Sequence, residues 1–209
     1  MREPGWVQRE SELVVRDLVG DDFPVARRII ATAFANEPFT VGMFGESLLD
    51  RFVGLTEQYA SWPWTSNAVV VGAEAHGNVV GVALATLPGE CHLCKEFDET
   101  VDPQSTKAEQ IEHEFQLACR NAHLNEGLPP HAHIVSVATD PLLHGCGIGR
   151  RVVDELVARI WSSGAQCAVL ECLTTREAFY TGAGFRRLVE FVDPGGPGLR
   201  SVLMRIDAP

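Results

Sequence analysis

One stretch in the second half of the chain decides the fold. It reads Ile134-Val135-Ser136-Val137-Ala138-Thr139-Asp140-Pro141 and, two residues later, His144-Gly145-Cys146-Gly147-Ile148-Gly149-Arg150-Arg151. The β-branched residues of 134–138 predict a strand, and the apolar spacing from Gly149 to about Ser163 predicts a helix. Three glycines at alternate positions let the backbone turn beside the helix N-terminus, where N–H groups and the helix dipole favour an anion. The stretch therefore predicts a phosphate-binding loop.

The surrounding residues extend this unit into a sheet. A strand at 167–172 follows the helix, and a strand–helix–strand unit of this length makes a parallel pair with a right-handed crossover. Other apolar runs predict further elements: strands at 13–18, 68–71, 79–84, 185–192 and 199–206, and helices to about Phe34, from about Glu46 to Tyr59, and at 177–182. The residues at 36–39 predict a break between the first two helices. The predicted class is α/β (α+β), a mixed, mostly antiparallel central sheet with one parallel β-α-β unit and flanking helices.

Residues 89–130 differ from the rest of the chain. They are polar, hold nine acids against three bases and contain few β-branched residues, and they predict one surface helix after Asp102-Pro103. No internal repeat or low-complexity tract is present. We therefore expect one domain over 1–209 with a helical insertion at about 89–130.

Charge is distributed unevenly along the 209 residues. Residues 1–130 hold 20 acids against 9 bases, a net charge of −11, whereas residues 131–209 hold eight of each. Such an acidic chain is a poor general nucleic-acid binder. Its apolar runs fall well short of the roughly 20 residues of a membrane helix, and the N-terminus lacks an apolar signal core. We therefore expect a cytoplasmic protein without nucleic-acid or membrane partners.

The stretch 133–188 resembles the GNAT superfamily of acyl-CoA-dependent N-acyltransferases. The strand that ends in Val137-Ala138-Thr139-Asp140-Pro141, followed by the glycine loop, matches the first motif of that family. A second motif follows in the right order, with Val169-Leu170-Glu171 and then Phe179-Tyr180-Thr181-Gly182-Ala183-Gly184-Phe185. The overall layout is most similar to the puromycin N-acetyltransferase-like branch.

The resemblance implies acetyl-CoA as a co-substrate and a set of residues that hold it. A bulge in the strand would let the amides of Val137 and Ala138 bind the pantetheine and polarise the thioester carbonyl. The loop would cradle the phosphates, although its first position holds His144 in place of Arg or Gln. The complete predicted coenzyme set is Val137, Ala138, Thr139, His144, Gly145, Cys146, Gly147, Ile148, Gly149 and Arg150.

The resemblance also implies catalytic roles. Tyr180 is the candidate general acid that protonates the departing thiolate, and a tyrosine packed between Phe179 and Phe185 is the alternative. Glu171 is the candidate general base, and pairing with an arginine such as Arg176 is the alternative. Four residues are expected on the acceptor side: Glu37, Phe39, Phe44 and His133.

The implied reaction is direct attack of a primary amine on acetyl-CoA within a ternary complex. The acceptor is a small-molecule or peptide amine, and the acidic first part of the chain favours a cationic one. A non-catalytic acyl-CoA-binding or regulatory module on the same fold is the alternative. The oligomeric state stays open, a homodimer included.

The six cysteines include one pair with metal-ligand spacing. Cys91 and Cys94 form a CxxC, and Cys119 and His123 follow at C-x3-H spacing, so these four residues could supply a tetrahedral zinc site. The alternative is a chance CxxC in a loop, with Cys119 facing a helix core. We expect no metal from the sequence.

Overall fold

The computed structural model describes residues 13–60, 67–94, 100 and 104–209. Their strands are β1 (Leu13–Asp17), β2 (Ala68–Ala75), β3 (Asn78–Thr86), β4 (Ala132–Thr139), β5 (Cys167–Leu173), β6 (Arg186–Val192) and β7 (Arg200–Asp207). Their α-helices are α1 (Phe23–Phe34), α2 (Pro38–Phe44), α3 (Leu48–Gln58), α4 (Lys107–Asn125), α5 (Ile148–Ser162) and α6 (Glu177–Gly182).

The seven strands form one mixed sheet in the order β1-β2-β3-β4-β5-β7-β6. Neighbouring strands are antiparallel except β4 and β5, which are parallel and joined through α5. The predicted fold class is therefore confirmed. The turn between β2 and β3 places both His76 and Gly77 at positive φ, as a two-residue hairpin turn requires. No helix in the described part of the chain is both long and apolar enough to cross a membrane.

Side-chain alternation along the strands separates two apolar layers. In β3, Ala83 and Ala85 face α5, whereas Val82 and Leu84 face α1. The α5 layer contains the largest cluster of buried side chains. On the opposite face α1 covers β2 to β4, and α4 packs through Ala122 on the β5 and β7 residues Val169 and Leu203.

The sheet opens between its two parallel strands. β4 and β5 pair only at Ala132↔Ala168 and His133↔Val169, although both described strands continue for several residues. β4 also contains a bulge: Leu84 pairs with Ser136 and Ala85 with Ile134, so Val135 is the extra residue. The bulge lies two residues before the expected amides. This divergence leaves an open strand edge inside the molecule.

One segment differs in part from the sequence prediction. The chain breaks after α1 as expected, but Pro38 begins an additional short helix, α2, because a proline is favoured in the first turn of a helix. Between β3 and β4, α4 begins at Lys107, where Thr106 forms a capping box with Glu109. The one-domain organisation with an insertion stays a prediction.

Candidate active site

A cleft of about 770 Å³ occupies the gap between β4 and β5. Its walls come from the diverging strand ends, the glycine loop before α5, α6 and the α2 and α4 side chains. Every predicted coenzyme residue except the exposed Cys146 lines it, and so do both predicted catalytic residues, Tyr180 and Glu171. Residues far apart in sequence thus meet in one cavity.

The β4 backbone offers hydrogen-bond donors to this cleft. The Asp140 N–H donates to Val80 O at 2.9 Å, toward β3. Alternate residues of a strand direct their N–H groups to the same edge, so the Ala138 N–H also faces β3. The N–H groups of Val137 and Thr139 consequently face the gap. The two N–H groups that can reach the cleft are therefore those of Val137 and Thr139, not the predicted pair of Val137 and Ala138.

The glycine loop has the conformation that its residues permit. Gly145 and Gly147 have φ of 82° and 78°, a region that residues with a Cβ rarely adopt. Gly147 is the N-cap of α5, which begins at Ile148. The first N–H groups of a helix have no partner within it, so this turn presents donors at the positive end of the helix dipole.

Arg150 has partners that the sequence did not indicate. Its Nε lies 2.7 Å from Asp154 Oδ1 on the same helix, and Nη1 donates to the carbonyl of Gly182 at the end of α6. The side chain therefore ties α5 to α6, beside Tyr180. Arg150 still contributes its backbone N–H to the first turn of α5.

Tyr180 lies on α6 at the cleft. Its ring packs edge-on against Phe179, with ring centroids 4.9 Å apart, and against Phe185 at 5.9 Å. Burial raises the pKa of Tyr180 well above its usual range. The phenol therefore keeps its proton at neutral pH and has one to donate.

Glu171 is held by two histidines rather than by an arginine. Its Oε1 lies 2.5 Å from His123 Nε2, and Oε2 lies 2.8 Å from His133 Nε2. Glu171 and Val169 share one sheet face because strand side chains alternate, and α4 brings His123 to that face. Burial alone would raise the pKa of Glu171, but the charges and hydrogen bonds of the two imidazoles lower it well below its usual range.

The predicted acceptor residues divide into two groups. Glu37, Phe39 and His133 line the cleft. Phe44 does not line it and packs against Gly54 of α3, where a Cβ would come within 2.4 Å of the Phe44 ring. Arg176 pairs with Glu37, which leaves Glu171 to the histidines.

Sequence reasoning missed His123 as a partner of Glu171. His123 lies in the last turn of α4 beside the buried Ala122. This position marks it as an inward-facing residue only when the buried face of α4 is known. It also missed Tyr59, whose hydroxyl lies 2.8 Å from Ser136 Oγ beside the cleft.

The family model described as "Acetyltransferase (GNAT) family" matches residues 43–185, which is more than half of the chain. The chain therefore belongs to the GNAT acetyltransferase family. No curated protein sequence matches it.

Several solved structures share the fold at low sequence identity. A polyamine N-acetyltransferase of Drosophila melanogaster is 18% identical, with 94% of this chain and 100% of that chain covered and a TM-score of 0.68. A mosquito arylalkylamine N-acetyltransferase-like protein 5b is 18% identical, with coverage of 94% and 100% and a TM-score of 0.63. An HPA2-related acetyltransferase of Corynebacterium glutamicum is 22% identical, with coverage of 93% and 95% and a TM-score of 0.62.

Proposed function

We propose that this protein is an N-acetyltransferase that transfers the acetyl group of acetyl-CoA to a primary amine. The observation that carries the proposal is the convergence of three features on one cleft: the open β4 edge, the glycine loop at α5 and Tyr180. Each feature suits one part of an acyl-CoA substrate. The β4 edge suits the thioester, the glycine loop suits the phosphates, and Tyr180 suits the sulfur that leaves. The puromycin-like branch and a cytoplasmic location stay predictions.

In the proposed complex the coenzyme follows the β4 edge. Phosphate oxygens accept hydrogen bonds from N–H groups of the loop 145–149, with the α5 dipole in support. The N–H groups of Val137 and Thr139 bind along the pantetheine and thioester, where a donor stabilises the developing oxyanion. His144 lines the same end of the cleft and can donate to a phosphate.

Acetyl transfer then proceeds by direct attack. The neutral amine nitrogen bonds to the thioester carbonyl carbon, and the carbonyl π electrons move to oxygen. When the oxyanion collapses, the carbon–sulfur bond breaks and Tyr180 protonates the departing thiolate. The attacking nitrogen releases its extra proton to water, and a proton from water restores the Tyr180 phenol. The products are the N-acetylated amine and CoA, with no covalent enzyme intermediate.

Glu171 belongs to the acceptor side of this proposal. As a buried carboxylate at the cleft it attracts and orients an ammonium group. Both of its oxygens already accept hydrogen bonds from histidines. Glu171 could therefore take a proton from the amine only if one of these hydrogen bonds broke. Both its role as the base and its role as an anionic anchor stay predictions.

An acceptor screen tests the proposal. The structural neighbours are named for polyamines, agmatine and arylalkylamines, so these amines are assayed for CoA release beside amino-nucleosides, aminoglycosides and peptide amines. We expect at least one small amine to give CoA release and an N-acetylated product. Tight acetyl-CoA binding with no acetylated amine would contradict the proposal and favour the non-catalytic binding module.

A further inference from the structure

Two thiols and two imidazoles converge beside the cleft. Cys91 and Cys94 lie at the 3-10 turn that follows β3, His123 lies in the last turn of α4, and His131 directly precedes β4. One ligand atom from each lies within 4.8 Å of the other three. From this arrangement we propose that Cys91, Cys94, His123 and His131 form a structural Zn²⁺ site.

The distances fit a tetrahedral ion if the ligand atoms, which lie within 4.8 Å of one another, contract by up to about 1 Å. Cys94 Sγ lies 3.8 Å from His123 Nδ1 and 3.9 Å from His131 Nε2, and Cys91 Sγ lies 4.0 Å from His123 Nδ1. Bond lengths of about 2.3 Å to sulfur and 2.0–2.1 Å to nitrogen place neighbouring ligand atoms roughly 3.3–3.8 Å apart around zinc. Four protein ligands leave no open position, as expected of a structural rather than a catalytic site.

The hydrogen bonds of the other ring nitrogen of each histidine are a second observation that supports a metal site. His131 Nδ1 lies 2.8 Å from the carbonyl oxygen of Pro129, and His123 Nε2 bonds the Glu171 carboxylate. Metal-bound histidines almost always donate their other N–H to a carbonyl or a carboxylate, which fixes the ring orientation. Both imidazoles are therefore set with their remaining nitrogen toward the thiols.

The burial of the four residues leaves one side of the cluster open to a metal. Cys91, His123 and His131 are buried, whereas Cys94 is exposed. A thiolate is the form of cysteine that binds zinc.

Cys119, the fourth ligand considered from the sequence, is not one of the four converging residues. It packs beside them, buried in a small apolar cluster with Cys91, Leu93 and Phe115. His131 takes its place because the chain returns to β4 beside the CxxC turn. The proposal thus reverses the sequence-based expectation of no metal.

The site explains how the polar segment between β3 and β4 is held. Its ligands come from the start of the segment (Cys91 and Cys94) and from its end (His123 and His131). One ion would fasten both ends against the sheet. Glu171 would then connect the metal ligand His123 to His133 at the cleft, which makes Glu171 a positioning residue for this site as well.

Metal analysis of the purified full chain tests the proposal. We expect about one zinc per chain, and Co²⁺ substitution should give the intense visible bands of a tetrahedral thiolate site. Cys94→Ala should lose most of the zinc and the cobalt bands, whereas the matched control Cys119→Ala should retain both. Glu171→Gln should weaken zinc binding by about 10–100-fold, as outer partners of metal ligands do.

Two results would overturn the site. One is a metal-free wild-type chain with a Cys91–Cys94 disulfide, detected as the loss of two hydrogens by mass spectrometry. The other is zinc that persists in Cys94→Ala but disappears in Cys119→Ala. If Cys94→Ala does not fold, the cobalt spectrum of the wild-type chain decides alone. Zinc content is measured without any acetyl transfer, so failure here is distinct from failure of the proposed function.

Discussion

At the scale of single residues, Tyr180 carries the chemistry of the proposed reaction. The raised pKa of its half-buried phenol keeps it protonated, and the side chain lines the cleft beside the open strand edge. We expect Tyr180→Phe to lower kcat by about 100-fold or more, since a positioned general acid contributes about 10²–10⁴-fold. Steady-state CoA release measures this change, and the Kd for acetyl-CoA should remain near the wild-type value.

The other tyrosine of the chain, Tyr59, supplies the matched control. Its hydroxyl bonds Ser136, so Tyr59→Phe removes one hydrogen bond and should cost about 1 kcal/mol of stability. Its kcat should stay within a few-fold of the wild-type value. An unchanged kcat in Tyr180→Phe would remove the acid role.

Asp22 should contribute to the acid sensitivity of the fold. Hydrogen bonds from the Arg16 guanidinium and the Val19 N–H lower its pKa to about 2. A carboxyl with a lowered folded-state pKa adds stability that is present above its unfolded pKa near 4 and lost as the pH falls toward 2. We expect the difference in unfolding free energy between wild type and Asp22→Asn to shrink over that range. Urea titrations between about pH 5 and pH 3 measure this difference, and a constant value would contradict the assignment.

The sequence identified site residues unevenly at this scale. Tyr180 and the loop glycines lie in short local motifs, so their position along the chain was enough. The partners of Glu171 come from α4 and β4, and His131 meets the CxxC only after a long excursion of the chain. Such side-chain meetings depend on helix rotation and on strand alternation, which one sequence does not specify.

At the scale of elements, the β4–α5–β5 unit positions the predicted coenzyme site. Gly147, the N-cap of α5, has a left-handed backbone conformation. This conformation costs about 1–2 kcal/mol in a residue that has a Cβ. We expect Gly147→Ala to lower the free energy of unfolding by that amount and to weaken acetyl-CoA binding. Calorimetric titration and urea unfolding measure the two effects.

Gly20→Ala is the control for this substitution. Gly20 also has open space around the position of a Cβ, but its φ lies outside the left-handed region. Its replacement should therefore leave both quantities nearly unchanged. Equal effects of the two variants would show that backbone conformation is not the cause.

Elements with one strong periodicity were predictable, and those that depend on context were not. Apolar spacing located α5 within a residue of its observed start and end, and the β-rich runs located β4 and β5. The α2 helix was missed because Pro38 has two interpretations, as a helix breaker or as a first-turn residue. The position of the bulge at Val135 could not be predicted, because the pairing register depends on β3.

At the scale of the whole molecule, the uneven charge matches the two sides of the cleft. The acidic part of the chain supplies Glu112 and Glu37 to the cleft, although Glu37 pairs with Arg176. The neutral part supplies the glycine loop for an anionic coenzyme, and it also supplies Glu171. A cationic amine would be attracted to the first side without added repulsion of the coenzyme on the second.

Steering of this kind is sensitive to salt. With saturating acetyl-CoA, we expect kcat/KM for a polyamine to fall several-fold as ionic strength rises from about 0.01 M to 0.15 M, while the Debye length falls from about 30 Å to 8 Å. A monoamine of similar size is the control and should show a smaller decrease. If kcat/KM were independent of salt for both amines, the acidic residues would not steer the acceptor and would serve solubility alone.

The most direct test of the central claim, acetyl transfer within a ternary complex, is a single-turnover experiment with an accepted amine. The chain is first mixed with acetyl-CoA, the amine is added later, and free CoA and protein mass are followed throughout. The account predicts no CoA release before the amine arrives, then CoA and N-acetylated amine in equal amounts, with an unmodified protein mass. A burst of CoA equal to the enzyme concentration before the amine is added, with the acetyl group on the protein, would contradict it.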